Sequence, residues 1–291
     1  MKMNNLKYNN LSKFKNRIGR AFSYVFIVLV CLMMIFPVIW LLTAAFKDNT
    51  EIFSSMSLIP KSWDFGAFKK GWQSVNGLTY SNYFLNSFLL VIPTVILTVA
   101  SSCLVAYGFA RFHFKGKKIL FAIMMGMLLL PEQVLIIPRY LLYNRLGWLD
   151  SYKPFIIPAG FATYPFFIYM MVQFFRGIPK ELEEAAIIDG CNSAGVFLRV
   201  MIPLAKPSII SMALLQFVWR WNDFFSNMLY INSVEKYPVT LALRLSLDST
   251  DLIIWNQVLA MTLCTIIPPV ILYVIMQRYF VEGISTTGLK G

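Results

Sequence analysis

Only a few residues of this chain have the type and spacing that could carry out chemistry. The stretch Gly283-Ile-Ser-Thr-Thr-Gly288-Leu-Lys-Gly places two glycines at the separation found in a phosphate-binding loop. In such a loop a lysine and then a serine or threonine follow the second glycine directly, so that they reach phosphate and magnesium. Here Leu289 intervenes and no hydroxyl residue follows the lysine. The stretch therefore argues against nucleotide binding by this chain.

Catalysis and metal binding have equally few candidates. The chain has one histidine, His113, in a basic turn, and its four cysteines lie far apart at Cys31, Cys103, Cys191 and Cys264. A zinc site or a Ser-His-Asp triad needs several such residues to converge. We interpret the cysteines as small buried apolar residues. We expect no catalytic residue, no metal site and no cofactor on this chain.

Two opposite charges stand inside an otherwise apolar, aromatic stretch. Arg220 and Asp223 lie three residues apart within residues 207–230. On insertion scales each charge costs about 2.5–3.5 kcal/mol at the centre of a membrane helix, which confines such residues to bundle interiors or water-filled cavities. Since residues three apart share one helix face, we expect the two side chains to pair.

The loop of residues 176–206 concentrates acidic side chains. Its first part predicts a short helix that begins near Pro179, because proline suits the first helical position. Three carboxylates then fall in the first turn, where the helix dipole favours negative charge, at Glu181, Glu183 and Glu184.

The second part of this loop predicts a tight turn and another helix. Gly190 follows Asp189 where a left-handed residue would end the first helix, and Ser193 is positioned to cap a second helix that leads toward Pro203. One side of the first helix is suited to docking, because small alanines there would let another protein approach closely. That side is predicted to carry Leu182, Ala185, Ala186 and Asp189.

The composition indicates which elements position these residues. Of the 291 residues 58% are hydrophobic and only 14% are charged, and the mean hydropathy is +0.63, which is typical of a protein in lipid. Long apolar runs support this, since a membrane span needs roughly 20 apolar residues. Six runs predict an all-α membrane protein with six transmembrane helices, at residues 21–43, 83–110, 119–142, 154–175, 207–230 and 252–277.

The distribution of basic residues predicts the orientation. Residues 1–20 hold six basic residues and no acid, and residues 111–118 hold four basic residues and no acid. The loop 44–82 mixes four basic with three acidic residues. The positive-inside rule therefore places both termini in the cytoplasm. Because the basic residues flank spans, the net charge of +12 reports topology and gives no support for nucleic-acid binding.

The predicted organisation follows from these spans and their orientation. A basic cytoplasmic tail is followed by the first span, an extracytoplasmic loop, a five-helix core and a cytoplasmic C-terminal tail. The core contains the cytoplasmic loop 176–206 and the outer loop 231–251. The boundaries are 1–20, 21–43, 44–82, 83–277 and 278–291.

The 176–206 loop also carries a family resemblance. Glu184-Ala185-Ala186, then Asp189-Gly190, nine further residues and Val-Met-Ile-Pro203 closely resemble the Glu-Ala-Ala loop of permease subunits of binding-protein-dependent (type I) ABC importers. The family more often has Ile and Leu where this chain has Val200 and Ile202, which are mild apolar exchanges. The tail 277–291 and the aromatic run 219–225 are similar to the second permease subunit of maltose-type carbohydrate importers.

The resemblance implies a transport subunit and assigns residues to it. In the family this loop is a coupling helix that sits in a cleft of the cytoplasmic ATPase and transmits its movement to the spans. The positions that match are Glu183, Glu184, Ala185, Ala186, Asp189, Gly190 and Pro203. The C-terminal tail would reach toward the ATPase interface with Gly288 and Lys290.

The resemblance also implies the partners. They are a second, distinct permease, a cytoplasmic ATPase dimer that binds ATP and magnesium, and an extracytoplasmic sugar-binding protein. That binding protein would meet the outer loops 44–82 and 231–251. The location would be the plasma membrane of a bacterium or archaeon, which the chain crosses several times, and transport would proceed by alternating access.

The aromatic run in the fifth span has two interpretations. In the first, Trp219, Trp221 and Asn222 line the translocation path, with rings that stack on sugar faces and an amide that bonds hydroxyls. In the second, they lie near the outer interface and fix the helix among its neighbours. Loss of uptake in Asn222→Ala with assembly intact would favour the path.

Three alternatives compete with an importer permease. A secondary transporter driven by an ion gradient would show ionisable relays near the midplane, for which Glu132 and Asp223 are thin support. A membrane scaffold or sensor would need no pore. The 176–206 loop could also simply lie on the membrane surface. Co-purification of an ATPase and substrate-dependent uptake would separate these alternatives.

Overall fold

The computed structural model describes residues 2–55, 57–73, 77–247 and 253–288, with backbone alone for 2–19, 21 and 279–288. Within these ranges the chain is helical, and its sole extended pairing is an isolated bridge between Gln73 and Thr79. This confirms the all-helical prediction for the described residues. The helices are α1 (Lys2–Ala44), α2 (Asn49–Ser54), α3 (Gly66–Trp72), α4 (Tyr80–Arg111), α5 (Lys117–Met127), α6 (Glu132–Arg145), α7 (Lys153–Gly160), α8 (Pro165–Gly177), α9 (Glu181–Ile188), α10 (Ser193–Val196), α11 (Ile202–Leu204), α12 (Lys206–Trp221), α13 (Phe225–Tyr230), α14 (Val239–Leu245) and α15 (Trp255–Gly288).

Four stretches of the described chain are long and apolar enough to cross a membrane. They are Phe22–Ala44, Tyr80–Arg111, Lys153–Gly177 and Trp255–Arg278. These stretches agree with four of the predicted spans. Two further stretches are helix pairs bent at a short break, so that length and composition give up to six spans if each bent pair counts as one.

The third predicted span, 119–142, is not a single helix. α5 ends at Met127 and α6 begins at Glu132, and the two helices meet at an angle of 101°. Pro131 stands at the break as the residue before α6. A proline lacks the N–H that would continue the ladder and disfavours helical backbone in the residue before it. At 11 residues α5 is about 16 Å long, too short to cross about 30 Å of hydrocarbon alone.

The fifth predicted span, 207–230, also differs from the prediction. α12 ends at Trp221, and the separate helix α13 starts at Phe225. Asp223 lies in the break, where its Oδ1 accepts a hydrogen bond from the Ser226 backbone N–H at 3.0 Å. Aspartate competes for backbone donors in this way and so favours helix ends. At the other end, Ser193–Leu204 and Lys206–Trp221 meet at 75°.

The described residues divide into two compact units. One unit runs as far as Gly71 and includes Ile253–Leu263. In it Phe46 contacts an aromatic cluster, with ring centroids 5.4 Å from Trp63 and 5.0 Å from Phe68. In the same unit α1 starts at Lys2, so the predicted basic tail and the first predicted span belong to one continuous helix.

The other unit consists of the described parts of Trp72–Leu252 and Cys264–Gly291 and is built around α4. With 32 residues α4 is about 48 Å long, and it packs against α7, α8, α12 and α14. Small polar side chains line its contacts. Ser101 Oγ donates to the Ala159 carbonyl at 2.6 Å, and Gln216 Nε2 donates to Thr98 Oγ1 at 3.3 Å. Such residues let helices approach closely in a membrane.

Candidate functional site

Helix α9 of the 176–206 loop begins two residues after the predicted position. Ile178 is extended, as expected for the residue before Pro179, and α9 begins at Glu181 with Lys180 at its N-cap. The backbone N–H groups of Glu183 and Glu184 donate to the Lys180 carbonyl at 2.9 and 3.0 Å. The carboxylates of the first turn lie at the positive end of the helix dipole, as predicted.

The turn after α9 has the predicted left-handed glycine. Gly190 has φ +86°. Its N–H donates to the Ile187 carbonyl at 3.0 Å, and the Cys191 N–H donates to the Ala186 carbonyl at 2.9 Å. This pair of bonds is a Schellman motif, which satisfies carbonyls that the helix end would otherwise leave free.

The cap of α10 lies one residue before the prediction. Asn192 is the N-cap, and its Oδ1 accepts from the Gly195 N–H at 2.8 Å. The predicted cap, Ser193, is instead the first helical residue. Both residue types make good caps, and here it is the Asn192 side chain that accepts the bond from the helix.

Of the four residues predicted on the docking side of α9, three are exposed, and the expected accessibility is wrong for Ala186. Ala186 is only 9% exposed and packs into a cluster of buried hydrophobic residues of its own chain. Leu182, Ala185 and Asp189 are exposed, as predicted. The end of α9 adds an apolar feature that was not predicted from the sequence, because Ile187 is exposed and Ile188 is 86% exposed.

Arg111, at the end of α4, contacts this loop at two points. Its side chain is 6% exposed and forms an ion pair through Nε with Glu183 Oε1. Its Nη2 donates to the Ile178 carbonyl at 2.7 Å. One turn earlier, the Tyr107 hydroxyl donates to the Ser193 carbonyl at 3.5 Å. The sequence pattern marks Arg111 only as a topology charge and Glu183 only as a first-turn carboxylate, so their pairing was not predicted.

The loop continues from α10 through one π-helical turn. Phe197–Met201 forms this turn, and the Ile202 N–H donates to the Phe197 carbonyl. Pro203 follows at the start of α11 and is exposed. Proline at that place removes one donor from the ladder. Ala205, which is fully buried, separates α11 from α12.

The Arg220–Asp223 pair is confirmed. Nη1 of Arg220 lies 2.6 Å from Asp223 Oδ2. Nη2 of the same side chain donates to the Tyr164 hydroxyl at 3.2 Å, and the guanidinium lies 5.0 Å from the Phe155 ring centroid. The charges are therefore compensated inside the bundle, as burial in a membrane protein requires.

The three aromatic-run residues occupy different environments. Trp221 is 2% exposed; its Nε1 donates to the Thr265 carbonyl at 3.1 Å, and its ring stacks on Phe217. Trp219 is 49% exposed, and Asn222 is exposed with its amide bonded to the Val218 carbonyl. The burial of Trp221 thus agrees with the packing interpretation, whereas the side chains of Trp219 and Asn222 are exposed at the surface of the chain.

The loop before α15 is tied to α4. Asn86 Nδ2 donates to the Glu235 carbonyl at 2.7 Å and to the Tyr237 carbonyl at 3.1 Å. Ser87 Oγ accepts from the Val239 N–H at 2.8 Å. These bonds fix the residues that lead into α14.

Asp150 makes a second attachment to the same loop. Its Oδ2 lies 2.6 Å from Lys236 Nζ and accepts from the Ser233 hydroxyl at 2.6 Å, and its Oδ1 accepts from the Ser233 N–H at 2.8 Å. The bonds from the Lys236 ammonium and the Ser233 hydroxyl hold the pKa of the Asp150 carboxyl well below its usual range. Asp150 has φ +56°, a conformation that Asp and Asn tolerate better than other side chains.

The structure gives less information on the other predicted residues, namely the C-terminal tail and the cysteines. Helix α15 extends to Gly288, whereas Lys290 lies outside the described residues. In the part of the chain that the structure describes, no group of three His, Cys, Asp or Glu side chains could hold a metal ion. Cys103 is buried as predicted, but Cys31 is exposed on α1.

Comparison with known proteins gives a consistent result. The family model of the binding-protein-dependent transport system inner membrane component matches residues 102–286. A probable ABC transporter permease protein, YurM of Bacillus subtilis, is 34% identical, with 94% of this chain and 90% of that protein covered. The arabinooligosaccharides transport system permease protein AraQ of Bacillus subtilis is 30% identical, with 92% and 94% covered. A chain from the crystal structure of a bacterial ABC transporter involved in the import of the acidic polysaccharide alginate has the same fold, with a TM-score of 0.82 at 24% identity over 91% of this chain and 98% of that one.

Proposed function

The chain belongs to the family of binding-protein-dependent transport system inner membrane components, and from this premise we propose that it is the permease subunit of a carbohydrate importer driven by a separate ATPase. The observation that carries the proposal is α9, a helix inside the matched region that ends in the Gly190 turn and presents carboxylates and exposed isoleucines. A relative named for arabinooligosaccharide transport supports a sugar or oligosaccharide as cargo.

In the proposed topology each bent helix pair is one span. The chain then crosses the plasma membrane of a bacterium or archaeon six times and has both termini in the cytoplasm. The six basic residues before residue 21 and the four in residues 111–118 support this orientation through the positive-inside rule. The Arg111 end of α4 and the 176–206 loop then share the cytoplasmic side.

The ATPase dimer binds at the exposed side of α9. The two isoleucines at the end of the helix, Ile187 and Ile188, fill an apolar cleft on the ATPase, while Glu184 and Asp189 at its rim meet basic side chains. Central apolar anchors within a charged rim are typical of protein interfaces. ATP and magnesium bind to the ATPase, and this chain contributes none of that chemistry.

The sugar-binding protein docks on the opposite side, at the outer loops 44–82 and 231–251. The bonds made by Asn86, Ser87 and Asp150 support this, since they hold residues between 232 and 239 in a fixed arrangement. A preformed surface loses less conformational entropy on binding than a mobile one. A second, distinct permease completes the pore, and the two permeases alternate between inward-open and outward-open states as the ATPases close and separate.

The translocation path runs past Trp219 and Asn222. Their exposure supports this assignment, because a flat ring and an amide suit the faces and hydroxyls of a sugar. Trp221 has a packing role next to them.

Substitution at Ile188 tests the docking side. Ile188→Glu is expected to reduce the ATPase that co-purifies per permease by at least about tenfold, because a buried charge without a partner costs more than 1.4 kcal/mol. Phe114→Glu is the control, since Phe114 is an exposed apolar residue in the neighbouring turn between α4 and α5. Retention of the full amount of ATPase by Ile188→Glu would contradict docking through this side of α9.

A further inference from the structure

The cytoplasmic loop and the outer loop of the proposed importer contact the same helix. At one end of α4, Arg111 binds the Ile178 carbonyl and Glu183. At the other end, Asn86 binds the Glu235 and Tyr237 carbonyls. Asn86 and Arg111 lie 25 positions apart, which corresponds to about 38 Å of helix, more than the hydrocarbon thickness of a membrane.

We propose that Arg111 is the positioning residue that anchors α9 to α4, and that α4 carries displacement of α9 to the outer loop through Asn86. This inference rests on the proposed function, because it assumes that an ATPase displaces α9. Arg111 acts through other residues and touches no substrate.

The geometry at Arg111 favours an anchor over an ordinary surface ion pair. The Arg111 side chain is almost fully buried and Glu183 is largely buried, so water competes little for their interaction. One guanidinium serves two acceptors, one before α9 and one in its first turn. A lysine has a single ammonium and would not hold both in the same geometry.

Further contacts extend the attachment along the loop. Tyr107, four residues before Arg111, reaches the Ser193 carbonyl and lies with its ring centroid 5.0 Å from that of Phe197. Ala186 packs inward on the same side of α9 as Glu183, three residues away. α4 therefore contacts the loop before, at and after α9, and a shift of the loop moves the end of α4.

Hydrogen exchange on the purified full-length chain tests the anchor directly. In Arg111→Gln and in Glu183→Gln, amide exchange in α9 is expected to accelerate by roughly tenfold, because each variant removes the ion pair between these two buried side chains. Exchange in Pro165–Gly177 should stay unchanged. The double variant should exchange no faster than Arg111→Gln alone, because both changes remove the same interaction. Amide exchange of α9 in Arg111→Lys should lie between that of the wild type and that of Arg111→Gln. This conservative variant keeps the test valid if Arg111→Gln misfolds.

Arg139→Gln is the matched control. Arg139 also pairs with a glutamate, Glu132 at 3.4 Å, but that pair is exposed and lies far from α9 in sequence. It should leave α9 exchange unchanged. Unchanged α9 exchange in Arg111→Gln and Glu183→Gln, or strictly additive effects in the double variant, would overturn the anchor.

Transmission along α4 is tested in the reconstituted complex with its ATPase and binding protein. Arg111→Gln and Asn86→Ala should both lose stimulation of ATP hydrolysis by liganded binding protein, and Asn86→Ala should do so with normal α9 exchange. Full stimulation in Asn86→Ala would overturn transmission through α4. If the wild-type chain recruits no ATPase, the proposed function fails, and hydrogen exchange still decides whether Arg111 anchors α9.

Discussion

Replacing Gly190 with alanine is expected to strain the turn after α9 without creating a clash inside this chain. Gly190 has φ +86°, and among the described residues no atom lies within 4 Å of the position that a Cβ would occupy. The cost is therefore that of a left-handed backbone in a residue with a side chain, about 1–2 kcal/mol. A difference of 1 kcal/mol is about a fivefold change in a population. The loop conformation with Gly190 in the left-handed region should therefore be at least about fivefold less populated relative to other loop conformations.

Three companion variants separate backbone strain from loss of docking. Gly190→Asn should cost less than Gly190→Ala, because asparagine tolerates the left-handed region. Gly190→Trp should strain the isolated chain no more than Gly190→Ala, because the space around the turn is open. Gly116→Ala is the matched control, since Gly116 has φ +83°, the same open surroundings and a place outside the 176–206 loop.

The assay compares stability of the purified chain with coupled transport. We expect Gly190→Trp and Gly190→Ala to unfold alike in detergent and to insert normally into the membrane. Gly190→Trp should nevertheless uncouple ATP hydrolysis from sugar uptake far more strongly, because its ring projects into the proposed docking surface for the ATPase. Normal coupled uptake by Gly190→Trp, or equal losses in Gly190→Ala and Gly116→Ala, would refute the reasoning.

Three further predictions concern the cap, the outer loop and the aromatic run. Asn192→Ala should destabilise α10 by about 1 kcal/mol, seen as faster amide exchange, whereas Ser193→Ala should change little; the reverse ranking would contradict the assigned cap. Because the pKa of Asp150 is lowered in the folded protein, its carboxylate stabilises the folded loop at any pH above the ordinary aspartate pKa of about 3.9. That stabilisation is lost only as the pH falls through the lower pKa of the folded state. Asp150→Asn should therefore expose the loop before α15 to protease at pH 7, while the wild-type loop stays protected at pH 4.5; cleavage of the wild type at pH 4.5 would contradict this. Asn222→Ala should assemble normally and lose uptake, and full uptake would remove Asn222 from the path. Trp221→Ala should instead lower the free energy of unfolding by about 3–5 kcal/mol, because the Trp221 side chain is buried.

Local rules in the sequence were sufficient for several features. The glycine turn after α9 follows from a residue type that readily adopts positive φ, placed where a helix must end. The Arg220–Asp223 pair was predicted from a spacing of three residues and from the cost of unpaired charge in a membrane. It forms although α12 ends at Trp221 and Asp223 lies in the break after it. Four helical stretches long and apolar enough to cross a membrane follow from the length of the apolar runs.

Other features depend on packing that the sequence pattern does not contain. Helical periodicity groups Ala185 with Ala186, but only the neighbouring helices decide that Ala186 is covered and Ala185 is not. The anchor at Arg111 joins residues far apart in the chain, so no local pattern could reveal it. Prolines within a span are tolerated or break it according to their neighbours, and the bend at Pro131 is an example of the second outcome.

The function of this chain as the permease of an ATP-driven importer is tested most directly by a mild-detergent pull-down of the tagged chain, followed by ATPase measurements with candidate sugar-binding proteins. We predict that an ATPase and a second permease co-purify, and that one liganded binding protein stimulates hydrolysis and so identifies the sugar. A chain that purifies alone and moves solute in proteoliposomes under an ion gradient, without ATP, would contradict the importer assignment.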